Sequence, residues 1–340
     1  MSESQTAAQP WRHPIEQCDV QDRAKLEAYR ASVPVWSELL NGEDDHSVSA
    51  QLSDMFWQDA AWRSVNEARR FTSKSGPSAA VSSVLRTLLD RGYIAGQILS
   101  IAKLLDPSDA KRPQRAVVSL RRLVDEISAA RDLFTREVFI CHDGLPYDWE
   151  AARTRDMAKW VGHEEGGVYS RWLDTDGPDA WAQSELMHRS FDALSGISAD
   201  RRQRTDTISS EVFDRLSAAL ADPVFEDVLS MRNKTIAHAA DAFSRSQATG
   251  LRSGLKLDEI AHAQRKLLGV SQALSASILY GAWRGSAVPT PQYDQFEYLE
   301  LPFVHPEHMG DLHNFWREHC KSRDEWLQEA FYEIIPKVDR

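Results

Sequence analysis

From Ala79 to Leu105 the apolar residues fall at intervals of three and four: Val81, Val84, Leu85, Leu88, Leu89, Ile94, Ile98, Leu99, Ala102 and Leu105. That is the period of one buried helix face, and a half-buried strand cannot use it, because strand side chains alternate sides. The same period returns in Leu26, Tyr29, Val33, Trp36 and Leu40, in Val117 to Val138, and in Ile208, Val212, Phe213, Leu216 and Leu220. No strand alternation of any length separates these stretches, so the parallel-sheet nucleotide folds are excluded, and no P-loop, GxGxxG or HExxH occurs. The expected fold class is all-α, a helical bundle of about five long helices carrying a loop-rich insertion and a C-terminal extension.

Turn residues set the boundaries. Asn41-Gly42 closes a first helix that begins near Gln21, and the Ser73–Ser78 cluster separates a second helix, about Ser49 to Thr72, from the third. Gly92 and Gly96 inside the third are read as points of close approach to a neighbouring helix. Asp106-Pro107 ends it, and a fourth helix is expected from about Gln114 to Ile140. Residues 141–200 read as an insertion with short helices at about 150–161 and 181–194. Its tryptophans, Trp149, Trp160, Trp172 and Trp181, could stack RNA bases, but anchoring a loop-rich region is the commoner use of such rings. After the Thr205–Leu220 helix, Asp222-Pro223 supplies a capping acid and a first-turn proline for the next. A last long helix is expected over Leu257–Trp283. Residues 1–19 read as a polar, loosely held tail, 20–285 as the helical domain, and 286–340 as an extension that wraps the bundle or a partner, ending in a helix at about 310–335.

With 340 residues the chain has ample core for one large or two ordinary domains. Its net charge of −11 argues against a general nucleic-acid coat but is compatible with a local basic cleft. Lys111-Arg112, Arg115, Arg121-Arg122 and Arg201-Arg202-Arg204 are candidate patches, each more simply a solvated helix face. Three distant cysteines, Cys18, Cys141 and Cys320, suggest neither a disulfide framework nor a zinc frame. Without a signal segment or a long apolar run, the expectation is a cytoplasmic protein without a membrane partner. The histidine-rich end (His305, His308, His313, His319 with Cys320) is looser than the paired frames zinc uses, so these histidines read as solvated or stacking, and no cofactor or metal is expected.

The stretch Ser230–Asp241 breaks its helix pattern in a specific way. With Phe225 as the zero of a helical wheel, Phe225, Leu229, Ile236, Ala240 and Phe243 lie within roughly 60° of one line, and Arg232 lands in the middle of it. A guanidinium there needs a carboxylate, carbonyls or a wet cleft, because it keeps its charge. His238 lies roughly 120° from Arg232. The two can meet over one substrate only if the helix is distorted or a second chain supplies one of them.

The string Arg232-Asn233-x4-His238 resembles the signature of the HEPN superfamily, and its wording, RNKTIAHA, is most similar to the abortive-infection, AbiU-type group. The resemblance covers roughly residues 20 to 285. It implies a compact helical bundle that dimerises through the motif helix. It also implies a metal-independent endoribonuclease used against phage or as a toxin, with an antitoxin or regulatory partner as a further possibility.

The residue types suit that chemistry. Histidine can take the 2′-OH proton near neutral pH. Arginine offers phosphate a fixed fork of donors. The catalytic candidates are therefore Arg232, Asn233 and His238, with Asn233 orienting the histidine or the phosphate. Lys234, four residues before His238, is the candidate for added substrate-binding charge. RNA is the expected substrate. Against this stand a structural ion pair for Arg232, a hydrogen-bonded helix-edge histidine for His238, and, as a whole-protein reading, a catalytically silent scaffold that binds RNA or a partner protein.

Overall fold

The computed structural model describes residues 11–74, 83–107, 116–159, 172–233, 255–281, 283–297 and 306–335. Among these the chain is all-α. Eleven α-helices occur in the order α1 (Arg23–Asn41), α2 (Val48–Lys74), α3 (Ser83–Leu105), α4 (Leu120–Ala129), α5 (Arg136–Cys141), α6 (Trp149–Ala158), α7 (Trp181–Ser195), α8 (Ser210–Leu220), α9 (Pro223–Met231), α10 (Leu257–Ala273) and α11 (Met309–Ile334). Thr135 and Thr207 form an isolated antiparallel bridge, and the described residues contain no strand. None of the described helices is long and apolar enough to cross a membrane. Two compact units emerge, one of residues up to Ser37 with Glu126–Phe213, the other of Glu38–Asp125 with Asp214–Ile334.

In the first unit Leu26, Tyr29, Val33 and Trp36 of α1 face inward, as their spacing requires. Tyr29 and Trp36 both meet Phe134, and Phe139 meets Phe191 of α7. Residues 11–19, expected as part of a loose tail, are instead tied down. Trp11 donates its indole N–H to the Arg30 carbonyl, the Arg12 and His13 amides both donate to Asp143 Oδ1, and Cys18 is buried. Gly144 makes this docking possible. Its φ is +88°, and a Cβ there would sit 2.5 Å from the His13 ring.

The single helix expected over 114–140 is also corrected. It breaks into α4, a short 3-10 turn at Arg131–Leu133, and α5. Thr135 turns extended, with ψ at 156°, and the amides of Arg136 and Glu137 donate to the carbonyls of Asp206 and Arg204. That pairing reaches across some 70 residues of sequence and leaves no trace in a local period. It also places Arg136, fully buried, where its Nε donates to Asp206 (2.8 Å), Nη1 to Asp192 (2.7 Å) and Nη2 to Ser195 (3.3 Å), over the Phe191 ring. Of the insertion's tryptophans, Trp181 behaves as an anchor, donating to Asp156 of α6. Trp149 is half-buried, Trp172 is exposed, and Trp160 lies outside the described residues.

The second unit is built on α2, α3, α10 and α11, with α9 packed on α3 and α10. Leu52, Met55, Phe56, Ile98, Ile101, Leu267 and Leu327 are among its fully or nearly fully buried side chains. The close helix approach occurs at Gly269, where a Cβ would lie 2.9 Å from the Ala330 Cβ. Gly92 has nothing within 4 Å of that position, which corrects the expectation for it, and Gly96 meets only the Gln58 amide oxygen at 3.2 Å. The final bundle helix stops short of Trp283. A π turn over Leu274–Ile278 follows α10, and Tyr280 takes a φ of +48° while the Gly281 amide returns to the Ser275 carbonyl.

Candidate functional site

The local sequence positions the start of the motif helix firmly. Asp222 Oδ1 accepts from the Val224 amide at 3.1 Å, and Pro223 occupies the first helical position, where no amide is needed. The second oxygen of Asp222 meets His262 Nε2 of α10 at 2.9 Å. Burial raises the Asp222 pKa, but His262, the Val224 amide and Lys266 outweigh it, so its carboxyl stays below its ordinary value.

Val224, Phe225 and Val228 form the buried face of α9, and Leu229 is half-buried. The apolar stripe is therefore turned toward Val224 and Val228 compared with the line expected through Phe225 and Leu229; on the wheel Arg232 still falls between Val228 and Phe225, with about a quarter of its side chain exposed. The α-helix gives way at this point. Arg232 and Asn233 have π-helical backbone, a widened turn that recurs at functional sites.

The charge of Arg232 has an outlet. Its Nη1 donates to Asp106 Oδ1 at 2.6 Å, and its Nε donates to Asn233 Oδ1 at 3.1 Å. Asp106 follows the last residue of α3, where the unpaired carbonyls of a helix end make a carboxylate unwelcome and a cation favourable. The Ser119 hydroxyl fixes the backbone there by donating to the Asp106 carbonyl at 2.6 Å. The structure thus brings together Arg232, Asn233 and Asp106. Asn233 accepts from the arginine through its side-chain oxygen. Lys234 and His238 lie outside the described residues. Asp106 escaped the sequence reading because Asp106-Pro107 looked only like a helix stop, and its partner is 126 residues away.

The model of the HEPN AbiU2 family matches residues 51–297 of this chain. The chain belongs to that family. HEPN AbiU2 domains are associated with abortive infection. No curated protein and no solved structure matches the chain.

The HEPN match begins within α2 and contains Asp106, Arg232, Asn233, Lys234 and His238, whereas α11 lies beyond it. Nevertheless α11 packs on α2 and α10. It also completes a buried polar cluster around Asp59, which is wholly closed to solvent. Arg63 Nε lies 3.0 Å from both Asp59 oxygens, and the Tyr93 hydroxyl donates to Oδ1 at 2.5 Å. His319 Nε2 and Arg323 Nη2 of α11 stand 3.4 and 3.9 Å from Oδ2. Burial pushes the Asp59 pKa up, but these four partners pull harder and leave it at about 2. Burial holds His319 below the ordinary histidine value. The cluster thus joins α2, α3 and α11.

Of the remaining sequence candidates, Lys111, Arg112, Arg115 and His305 lie outside the described residues, and four others are held in ion pairs or ring contacts. Arg202 pairs with Asp192, and Arg204 pairs with Asp19 and lies over Tyr147. His308 and His313 stand against Phe71 and Phe296. A cleft of about 540 Å³ between residues 286–291 and α11 mixes Arg317 and Lys321 with Asp324 and Glu325, and no motif residue lines it.

Proposed function

We propose that this HEPN protein is a metal-independent endoribonuclease acting in abortive infection or as a toxin. In the proposed reaction neutral His238 takes the proton of a 2′-OH, and O2′ attacks the adjacent phosphorus. The bond to the 5′-oxygen breaks, that oxygen takes up a proton, and the products carry a 2′,3′-cyclic phosphate and a 5′-hydroxyl. Arg232 holds the phosphate as negative charge builds on it, and Lys234 adds charge beside it.

The observation that carries the reading is the Arg232-Asn233-x4-His238 string inside the family-matched segment, in a family whose members are commonly ribonucleases. The widened turn at Arg232 supports it, since an undistorted helix keeps Arg232 and His238 on different faces. Incubation of the purified protein with labelled RNA in excess EDTA tests it. Cleavage that yields cyclic-phosphate ends, spares DNA of the same sequence and disappears in His238→Ala is expected. Equal cutting of DNA, or an active His238→Ala protein, excludes this mechanism.

One observation favours a second reading. Arg232 already has a carboxylate partner in Asp106, as it would in a silent HEPN scaffold that binds RNA or a partner protein. Retention of RNA without any cleavage in the same assay would select that reading.

A further inference from the structure

We propose that Asp106 is a positioning residue for Arg232, acting with Asn233, and that its charge also weakens the hold on RNA. The inference rests on the ribonuclease reading. A guanidinium is a rigid plane with five N–H donors. Here Nε is committed to Asn233 and Nη1 to Asp106, at 3.1 and 2.6 Å. Two acceptors on two different nitrogens of one plane fix its orientation. Nη2 has no hydrogen-bond partner among the described residues, so one donor edge is presented in a set direction, on a side chain that is partly open to solvent. Phosphate recognition by arginine uses such an edge.

Asp106 can hold that direction because its own backbone is held. Its amide returns to the Lys103 carbonyl and its carbonyl accepts from Ser119. Neither bond involves the carboxylate, so a substitution at this side chain leaves the end of α3 tied.

The charge of Asp106 has the opposite consequence. A phosphate oxygen on Nη2 stands one guanidinium width from the carboxylate on Nη1, and like charges at that range repel. Asp106 therefore does two separable things. Its oxygen aims Arg232, and its negative charge opposes the substrate. Asparagine at this position keeps an acceptor oxygen and removes the charge. Alanine removes both.

The test compares wild type, Asp106→Asn and Asp106→Ala on a labelled mixed-sequence single-stranded RNA in EDTA, with kcat and KM measured separately. For Asp106→Asn, turnover within about threefold of wild type is expected, with KM lowered about three- to tenfold at low salt and converging on wild type as salt screens the charge. For Asp106→Ala, kcat should fall about tenfold or more, because a misaimed group loses transition-state alignment. A purely structural ion pair would move both melting temperatures and split neither constant. An Asp106→Ala enzyme with wild-type kcat overturns the positioning role, and an unchanged KM in Asp106→Asn overturns the charge effect. Should Asp106→Ala fail to fold, Asp106→Leu serves as the variant without an acceptor under the same kcat criterion, while the Asp106→Asn KM and its salt dependence decide the charge effect. A wild-type protein that cuts no RNA removes the ribonuclease reading and this inference with it, a result distinct from cleavage that ignores position 106.

Discussion

Asp59 of α2 and His319 of α11 lie 3.4 Å apart in the interior of the second unit, joining the family-matched segment to a helix outside it. The pair gives the C-terminal helix a defined place. It belongs to the core of that unit, fastened by one carboxylate to which four side chains from three helices converge.

Removing that carboxylate should be severe. Asp59→Ala leaves Arg63 and Arg323 without their buried anion and the Tyr93 hydroxyl without its acceptor, and a loss of about 3–5 kcal/mol of unfolding free energy is expected. Urea unfolding followed by far-ultraviolet circular dichroism measures it. His319→Gln, which keeps a polar group in a similar volume, should cost clearly less. A loss under about 1 kcal/mol for Asp59→Ala would show that the cluster contributes little.

Stability should also fall on the acid side of neutrality. His188 of α7 is buried, with Nε2 on the Tyr147 carbonyl at 2.9 Å and no partner for Nδ1. Burial lowers its pKa to about 4, with Arg202 and Arg136 acting in the same direction against Asp192 and the Tyr147 carbonyl. A folded-state pKa below the unfolded value near 6.5 means that the stabilisation is complete above about pH 6.5 and drains as pH falls toward 4. His319 acts in the same sense, and Asp59 adds its loss only between about pH 4 and pH 2. Melting temperature should thus decline from pH 7 to pH 4, and His188→Gln should flatten that decline. A curve level down to pH 4.5 would contradict the assignment.

Much of the architecture was legible because helix faces repeat locally. The starts of α2 and α9, the end of α3, and α11 all follow from apolar period and capping residues. What escaped depends on partners distant in sequence. Thr135 leaves the helix for a bridge to Thr207, Gly144 exists for His13, and Asp106 meets Arg232. The wheel did establish that Arg232 needed an outlet for its charge. It could not say which acid would provide one, since no periodicity links α3 to α9. His238 and Lys234 lie outside the described residues, so the geometry covers Arg232 and Asn233 of the motif.

Arg136 makes a sharper test of the first unit. It is wholly buried and bridges Asp192 and Asp206. Arg136→Ala should cost about 3 kcal/mol or more, since it leaves the buried Asp206 without its cation and Asp192 with Arg202 alone. Arg136→Lys should recover only part of that, because an ammonium cannot reproduce three differently directed N–H donors. Denaturant melts of the two variants compare them directly, and full recovery by lysine would reduce the role of Arg136 to simple charge.

The last prediction concerns how two chains would build one site. On an undistorted helix Arg232 and His238 point roughly 120° apart. A symmetric dimer through the motif helix places the same patch on both protomers, so the arginine of one can approach the histidine of the other. Under that proposal Arg232→Ala and His238→Ala are each inactive alone. In a mixed dimer one site has lost both groups and the other keeps both, so partial activity should return on mixing. Sites that draw both residues from a single chain would show no rescue. A single central site using both pairs would also show little rescue while the protein sizes as a dimer, which is why light scattering must accompany the assay. A monomer that cuts RNA at the wild-type rate would end the shared-site idea, and would leave the widened turn at Arg232 as the means by which one helix brings both residues to a phosphate.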